Sequence, residues 1–244
     1  MPYRRLPNTD SARIKALKTA HHKGSELPPF KLAYSQGMYQ KIKTILPNFE
    51  TAMHEHRNSM ELHAEKNREY QKRVKKARLY ISHFIQVVDM AITRGEMPQE
   101  TRTFYGLNHE EKKLPSLTNE EEIYTWGKKL IDGEKARRAK GKGPVTNPTI
   151  AVVKVHYDKF VDAYNHQKSL KKRSSHAHDN LMEIRNRVDE IIQQTWNEVE
   201  DTFKDLPEEI RREKSADYGV VYVYRKNEIS GVNLFQPSRV ERFG

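Results

Sequence analysis

The sequence predicts a mainly α protein: an elongated, coiled-coil-like bundle built on two long helices, with short accessory helices and a small C-terminal β-hairpin. Three observations predict it. Apolar residues recur at alternating steps of three and four along two long stretches. Hydrophobic residues make up 36% of the chain and mean hydropathy is −0.92, values that suit helices burying one stripe and wetting the rest. A run of β-branched and aromatic residues occurs near the C-terminal end, at Val220 to Tyr224.

The first long stretch reads Phe49, Met53, His56, Met60, His63, Asn67, Tyr70, Val74, Ala77, Ile81, Phe84, Val88, Ala91, with no Pro or Gly between. It predicts a helix over about 48–94, stopped by Gly95. At 1.5 Å per residue this spans about 70 Å. A helix of that length and composition needs partners along most of it.

Before it, Pro2 to Asn8 reads as an extended arm. Thr9 or Asp10 caps an accessory helix over about 10–22 through Ile14, Leu17 and Ala20, with Gly24 as its stop. Pro28 and Pro29 hold the next residues extended. A second accessory helix, about 34–46, follows through Met38, Ile42 and Ile45. Pro47 breaks it, kinks it or starts the next helix.

After Gly95, residues 96–116 read as a loop. Thr118 to Glu121 form a capping box that opens a helix over about 119–139, with Ile123, Trp126 and Leu130 inward. Lys140 to Pro144 is the clearest linker. Asn147 caps the second long helix, about 148–205, with Pro148 in its first turn. Its seam is Phe160, Ala163, Gln167, Leu170, Ser174, Ala177, Leu181, Ile184, Val188, Ile191, Thr195, and Ser174-Ser175 marks a bend. A short helix covers about 207–216. The hairpin joins Val220–Tyr224 to Val232–Phe235, and a basic tail follows. The chain thus divides into a bundle over 1–216 and a hairpin with tail over 217–244. The connection between the long helices is long enough for either a parallel or an antiparallel pair. Tyr70 to Lys76 and His166 to Lys172 echo each other, a weak sign of internal repetition.

The formal charge is +11, from 44 basic and 33 acidic residues. That favours an acidic partner: nucleic acid, an anionic surface or an acidic protein. The absence of Cys excludes disulfide scaffolds, thiolate zinc sites and Cys nucleophiles. No apolar run reaches the length of a membrane span, and no apolar segment follows the basic N-terminus. A cytoplasmic protein is the expectation.

Four candidate sites emerge. Lys66, Arg68, Lys72, Arg73, Lys75, Lys76 and Arg78 on the first long helix, with Lys168, Lys171, Lys172 and Arg173 on the second, form a basic belt. Both clusters lie near a helix midpoint, so aligned helices would gather them into one girdle suited to phosphates. A third cationic cluster, Lys135 to Lys142, lies by the linker. His56, His63 and Asn67 on one seam, with Gln167 and Ser174 on the other, form a polar core layer that sets register. His56, His63, His176 and His178 are the imidazoles nearest to a metal set, but a Glu-x-x-His pair of motifs is missing, and no metal or cofactor is assigned. Ser174, Ser175, His176, His178 and Asp179 hold triad residue types on one helix, where they do not converge. The hairpin, with its tyrosines, packs on the bundle or docks elsewhere.

No catalytic motif appears. The first reading is a non-enzymatic structural or protein-interaction protein, with self-association as a homodimer one form of it. The second is a sequence-independent nucleic-acid-binding protein using the belt. A metal-binding bundle protein is a distant third.

Overall fold

A computed structural model describes residues 3–108 and 114–223 of the 244. In chain order the elements are β1 (Tyr3–Arg4), α1 (Asp10–Glu26), a 3-10 turn (Pro29–Lys31), α2 (Gln36–Thr93), α3 (Thr101–Phe104), α4 (Glu120–Ala139), α5 (Ile150–Thr202), α6 (Glu208–Ala216) and β2 (Tyr222–Val223). The predicted fold class stands: two long helices, shorter helices packed beside them, and a small antiparallel sheet at the C-terminal end of the described chain.

Several boundaries differ from expectation, each for a local reason. α2 absorbs the accessory helix expected at 34–46, and Pro47 lies inside it. A mid-helix proline removes one backbone hydrogen bond. Here it sits on the exposed side, while Ile42 and Phe49 are both 0% exposed on the opposite face. Burying two large side chains outweighs one lost bond. Gly24 does not stop α1. It faces the Tyr39 ring and the Tyr34 hydroxyl, and a Cβ there would overlap both. Gly95 does end α2, at φ +78, with Glu96 N–H returning to the Ala91 carbonyl at 2.9 Å. The capping box sits one residue later than expected. Asn119 accepts from Glu122 N–H at 2.8 Å, and the Glu122 carboxylate accepts from Asn119 N–H at 3.2 Å. The 96–116 segment holds the short α3. α5 starts at Ile150 and not at Pro148: Asn147 has φ 55 and does not cap, and the Thr149 carbonyl takes the first helical bonds from Val152 and Val153. The helix passes through Ser174-Ser175 unbroken.

The C-terminal strand is present and its partner is the N-terminal arm. Tyr3 pairs with Val223 and Arg4 with Tyr222. Arg5 N–H adds a 2.9 Å bond to the Val221 carbonyl. The second run expected in the hairpin, 232–235, and the basic tail lie outside the described residues.

The chain forms two compact units. Unit 1 comprises Met1–Arg57 and His176–Gly244; unit 2 is Asn58–Ser175. In unit 1 the start of α2 runs antiparallel to the end of α5. Ser35 N–H donates to Glu198 at 2.7 Å, and the Thr202 hydroxyl donates to the Ala33 carbonyl at 2.9 Å. Its core gathers Leu17, Ile42, Phe49, Leu181, Val188 and Trp196. In unit 2 the later part of α2 is again antiparallel to α5, with the Tyr80 and His156 rings stacked at 4.1 Å. α4 lies over the pair, and Ile81, Phe84, Tyr105, Ile123, Leu130 and Phe160 are fully buried. Gly127 of α4 lets the Tyr157 ring press against its backbone. Deleting a ring such as Phe84 or Phe160 typically costs about 3–5 kcal/mol.

Candidate anion-binding surface

Every residue of the predicted belt falls in unit 2. That unit carries 24 Lys and Arg against 15 Asp and Glu, a balance of +9. Unit 1 carries 20 against 18, a balance of +2. The positive charge of the chain is therefore concentrated in one unit.

Within unit 2 the belt separates into three groups. Lys66, Arg73 and Arg78 are engaged. Lys66 Nζ meets Glu65 at 2.9 Å, and its pKa is raised by that contact. Arg73 meets Glu69 at 2.7 Å, and Arg78 donates to the Thr118 carbonyl at 3.0 Å. Arg68, Lys72, Lys75 and Lys76 are exposed at spacings of four, three and one, which place them on the outer side of α2, opposite Val74 and Ala77. Lys168, Lys171, Lys172 and Arg173 are exposed on α5. Among the described residues the last two groups form no ion pair.

The two clusters are offset along the pair. The stacking of Tyr80 on His156 and the placing of Tyr70 beside Ala163 and Gln167 fix the antiparallel register. In that register Lys72 to Arg78 lie opposite residues of about 157–163, Lys168 comes level with Lys66 and Arg68, and Lys171, Lys172 and Arg173 lie further along. The expectation placed both clusters at helix midpoints. α2 begins at Gln36, twelve residues earlier than about 48, so its midpoint precedes the cluster.

The polar layer is corrected in part. In unit 1 the half-buried His56 lies with its ring 5.5 Å from that of the exposed His178. In unit 2 His63, Gln167 and Ser174 are half-buried. Asn67 is exposed and belongs to no core layer, and the neighbouring seam position Met60 is 52% exposed. Polar side chains keep their hydration where they can, so the seam loosens where they replace apolar ones. Gln167 Oε1 is buried without a hydrogen-bond partner among the described residues, beside a cavity of about 180 Å³ bordered by Lys66, Tyr70, Arg73 and Asp162. His176 is exposed, and among the described residues no three His, Asp or Glu side chains are grouped to hold a metal ion. Ser175, His176, His178 and Asp179 are all exposed along α5.

One cluster went unforeseen. Arg137, taken with the linker cations, is 4% exposed, and Glu134 is 0% exposed. Arg137 Nε donates to Glu134 at 2.9 Å and to the Tyr105 hydroxyl at 3.0 Å. The Tyr105 hydroxyl donates to Glu134, Val145 N–H reaches the same carboxylate at 3.0 Å, and Arg137 donates to the Gly143 carbonyl. Burial pushes the Glu134 carboxyl up, but Arg137, Tyr105 and Val145 outweigh it and hold the pKa below its ordinary value. Every acceptor is used, so this is a staple joining α4 to the segments before and after it. The Glu-x-x-Arg spacing on α4 was the only signal for it, and surface helices carry that spacing as often.

At the seam of α2 and α5, His156 is half-buried under Tyr80. Burial, then the cations of Lys76 and Lys159, lower its pKa. No family model matches the chain, and no curated protein or solved structure matches it either. No helix among the described residues is long and apolar enough to cross a membrane.

Proposed function

We propose that the protein is a non-enzymatic helical scaffold whose unit 2 binds an acidic macromolecule. The observation that carries this reading is the charge partition, +9 in unit 2 against +2 in unit 1. It is joined by exposed cations on α2 and α5 that no carboxylate of the described chain neutralises. A basic field of this kind steers an acidic partner and holds it in a salt-dependent way.

The nucleic-acid reading rests on one specific observation: Arg68, Lys72, Lys75 and Lys76 share the outer side of α2, where the carboxylate beside them, Glu69, is paired with Arg73. Such a stripe suits a phosphate backbone and reads no base. A binding titration against a generic duplex and a single strand at two salt concentrations tests both. Binding that falls steeply with salt is expected, with the log–log slope counting the phosphates contacted. Reversing Lys72, Lys76, Lys172 and Arg173 to Glu is expected to remove it while the fold persists. Tight binding that ignores both salt and reversal would sink the proposal.

A further inference from the structure

α4 covers one side of the α2–α5 pair in unit 2. Ile123 and Leu130 are fully buried there, and Tyr124 meets Tyr157 and Tyr164. No described element of the unit covers the other side. Helical spacing sets Lys72, Lys76, Leu79, His83 and Met90 in one line along α2, and Val152, Val155 and Lys159 in one line along α5. The Tyr80–His156 stack fixes how these lines meet. Lys76 comes opposite Lys159, Leu79 opposite Val155, and His83 beside Val152.

The side is therefore graded along its length. One end is cationic: Lys72, Lys76 and Lys159 are exposed and form no ion pair among the described residues. The pKa of His156 is lowered first by burial and then by the cations of Lys76 and Lys159, which places both close to its ring. The other end is apolar, with Leu79 63%, Met90 57%, Val155 51% and Val152 40% exposed. Leu79, Val152 and Val155 gather on the helix pair as an apolar patch of the kind that marks an interaction site, and Met90 extends the line along α2 past His83, Gln86 and the start of α5. A phosphate backbone would use the cations and leave these four in water. A second copy of the chain supplies no carboxylates for these cations: a two-fold pairing would set the cationic end against the partner's apolar end or against its cations.

We propose that this side of unit 2 is the docking groove for an acidic amphipathic helix of a partner protein. Its apolar residues would cover Leu79, Met90, Val152 and Val155, and its carboxylates would meet Lys72, Lys76 and Lys159. The helix adds a fourth member to the local bundle of α2, α4 and α5. From Lys72 to Met90 the groove is about 27 Å long at 1.5 Å per residue, the length of about 18 helical residues. The inference rests on the reading of unit 2 as a binder of acidic macromolecules.

The test uses the full chain and three labelled probes. The first is a synthetic 20-residue helical peptide with Leu along one face and Glu on both flanks. The second is a peptide of the same composition in scrambled order. The third is a 20-nucleotide single strand. The ordered peptide is expected to bind at least tenfold more tightly than the scrambled one. Leu79→Ser with Val155→Ser is expected to weaken peptide binding tenfold or more and leave the single strand unaffected. Lys72→Glu with Lys76→Glu is expected to weaken both. All four positions are on the surface, and circular dichroism confirms that each variant is folded. Equal binding of ordered and scrambled peptides overturns the inference, as does indifference to the Leu79 and Val155 changes. Sedimentation showing a dimer that those two changes dissociate overturns it in favour of a second copy. A single strand that binds where no peptide does removes the inference and leaves the proposed function standing. Failure of all three probes removes both.

Discussion

The two units use their charges differently. Unit 1 joins elements far apart in sequence with ion pairs: Arg13 with Asp189 at 2.7 Å, Arg185 with Asp10 at 2.6 Å, Arg4 with Glu200 at 2.8 Å and Lys18 with Glu50 at 2.8 Å. Unit 2 pairs locally along its helices, as in Arg73 with Glu69 and Lys154 with Asp158, and it buries one pair, Glu134 with Arg137. Arg102 also ties α3 to α2 through Asp89, and Arg78 holds the Thr118 carbonyl, whereas the exposed Arg68, Lys72, Lys75, Lys76, Lys168, Lys171, Lys172 and Arg173 form no ion pair among the described residues. In unit 1 much of the charge joins elements of the fold; in unit 2 much of the positive charge stays exposed on the helix surfaces.

The contrast can be broken most directly at the buried pair. Glu134→Ala leaves Arg137 charged and uncompensated in the core, and a loss of about 3–5 kcal/mol is expected. The chain has two Trp, fully buried Trp196 in unit 1 and Trp126 in unit 2. Denaturant titrations of Trp126→Phe and Trp196→Phe versions therefore follow each unit separately. If both signals shift equally, the units unfold as one and the contrast is only of surface.

Gly133→Ala comes next. A Cβ there would overlap the Phe104 carbonyl, a backbone atom that cannot rotate away. Overpacking of this kind costs about 1–3 kcal/mol, and Trp126 should report it before Trp196 does.

Titration sharpens the comparison further. Asp10 is held below its ordinary pKa, chiefly by its hydrogen bonds to Arg185 and against the effect of burial, with Arg13 adding to it. A depressed carboxyl contributes stability above its unfolded pKa and loses it as pH falls through the folded value. Asp10→Asn should therefore cost roughly 1 kcal/mol at neutral pH and flatten the acid limb below about pH 4 in the Trp196 signal. His156 acts in unit 2. Its folded pKa is also lowered, so stability is full above the unfolded value, about 6.5, and falls as acid charges the ring. Thermal melts between neutral and mildly acidic pH should show this loss, and His156→Phe should remove it.

The smallest effect is the most telling. Reversal of Lys168, Lys171, Lys172 and Arg173 to Glu should change stability by no more than about 0.5 kcal/mol. A larger loss in chemical denaturation would mean that these cations serve the fold after all.

Much of this architecture was legible because helical periodicity is a local signal. The seams of Tyr70 to Ala91 and of Phe160, Leu181 and Val188 are buried as read. What the sequence hid was set by tertiary contacts. Pro47 and Gly24 read as breaks, and both lie in helices because of what packs across from them. Register decided which cations face each other, and register depended on where α2 begins. Arg137 read as one more linker cation until the fold closed Tyr105 and Glu134 around it. The strand at Tyr222 was visible, but its partner at Tyr3, more than two hundred residues away, carried no local mark.

That pairing of Tyr3 with Val223 has a kinetic side. Unit 1 is assembled from both flanks of the chain, whereas unit 2 is a single uninterrupted run. In unit 1 the His56 and His178 rings are 5.5 Å apart, so the chain leaves and re-enters the unit at neighbouring points. Folding unit 1 first would require closing a loop of more than a hundred disordered residues, an entropic cost that grows with loop length. Unit 2 needs no such closure, and all of it is synthesised before the C-terminal half of unit 1. A nested chain of this kind is expected to fold its uninterrupted unit early, and closing that stretch lowers the entropic cost of joining the two flanking segments of unit 1.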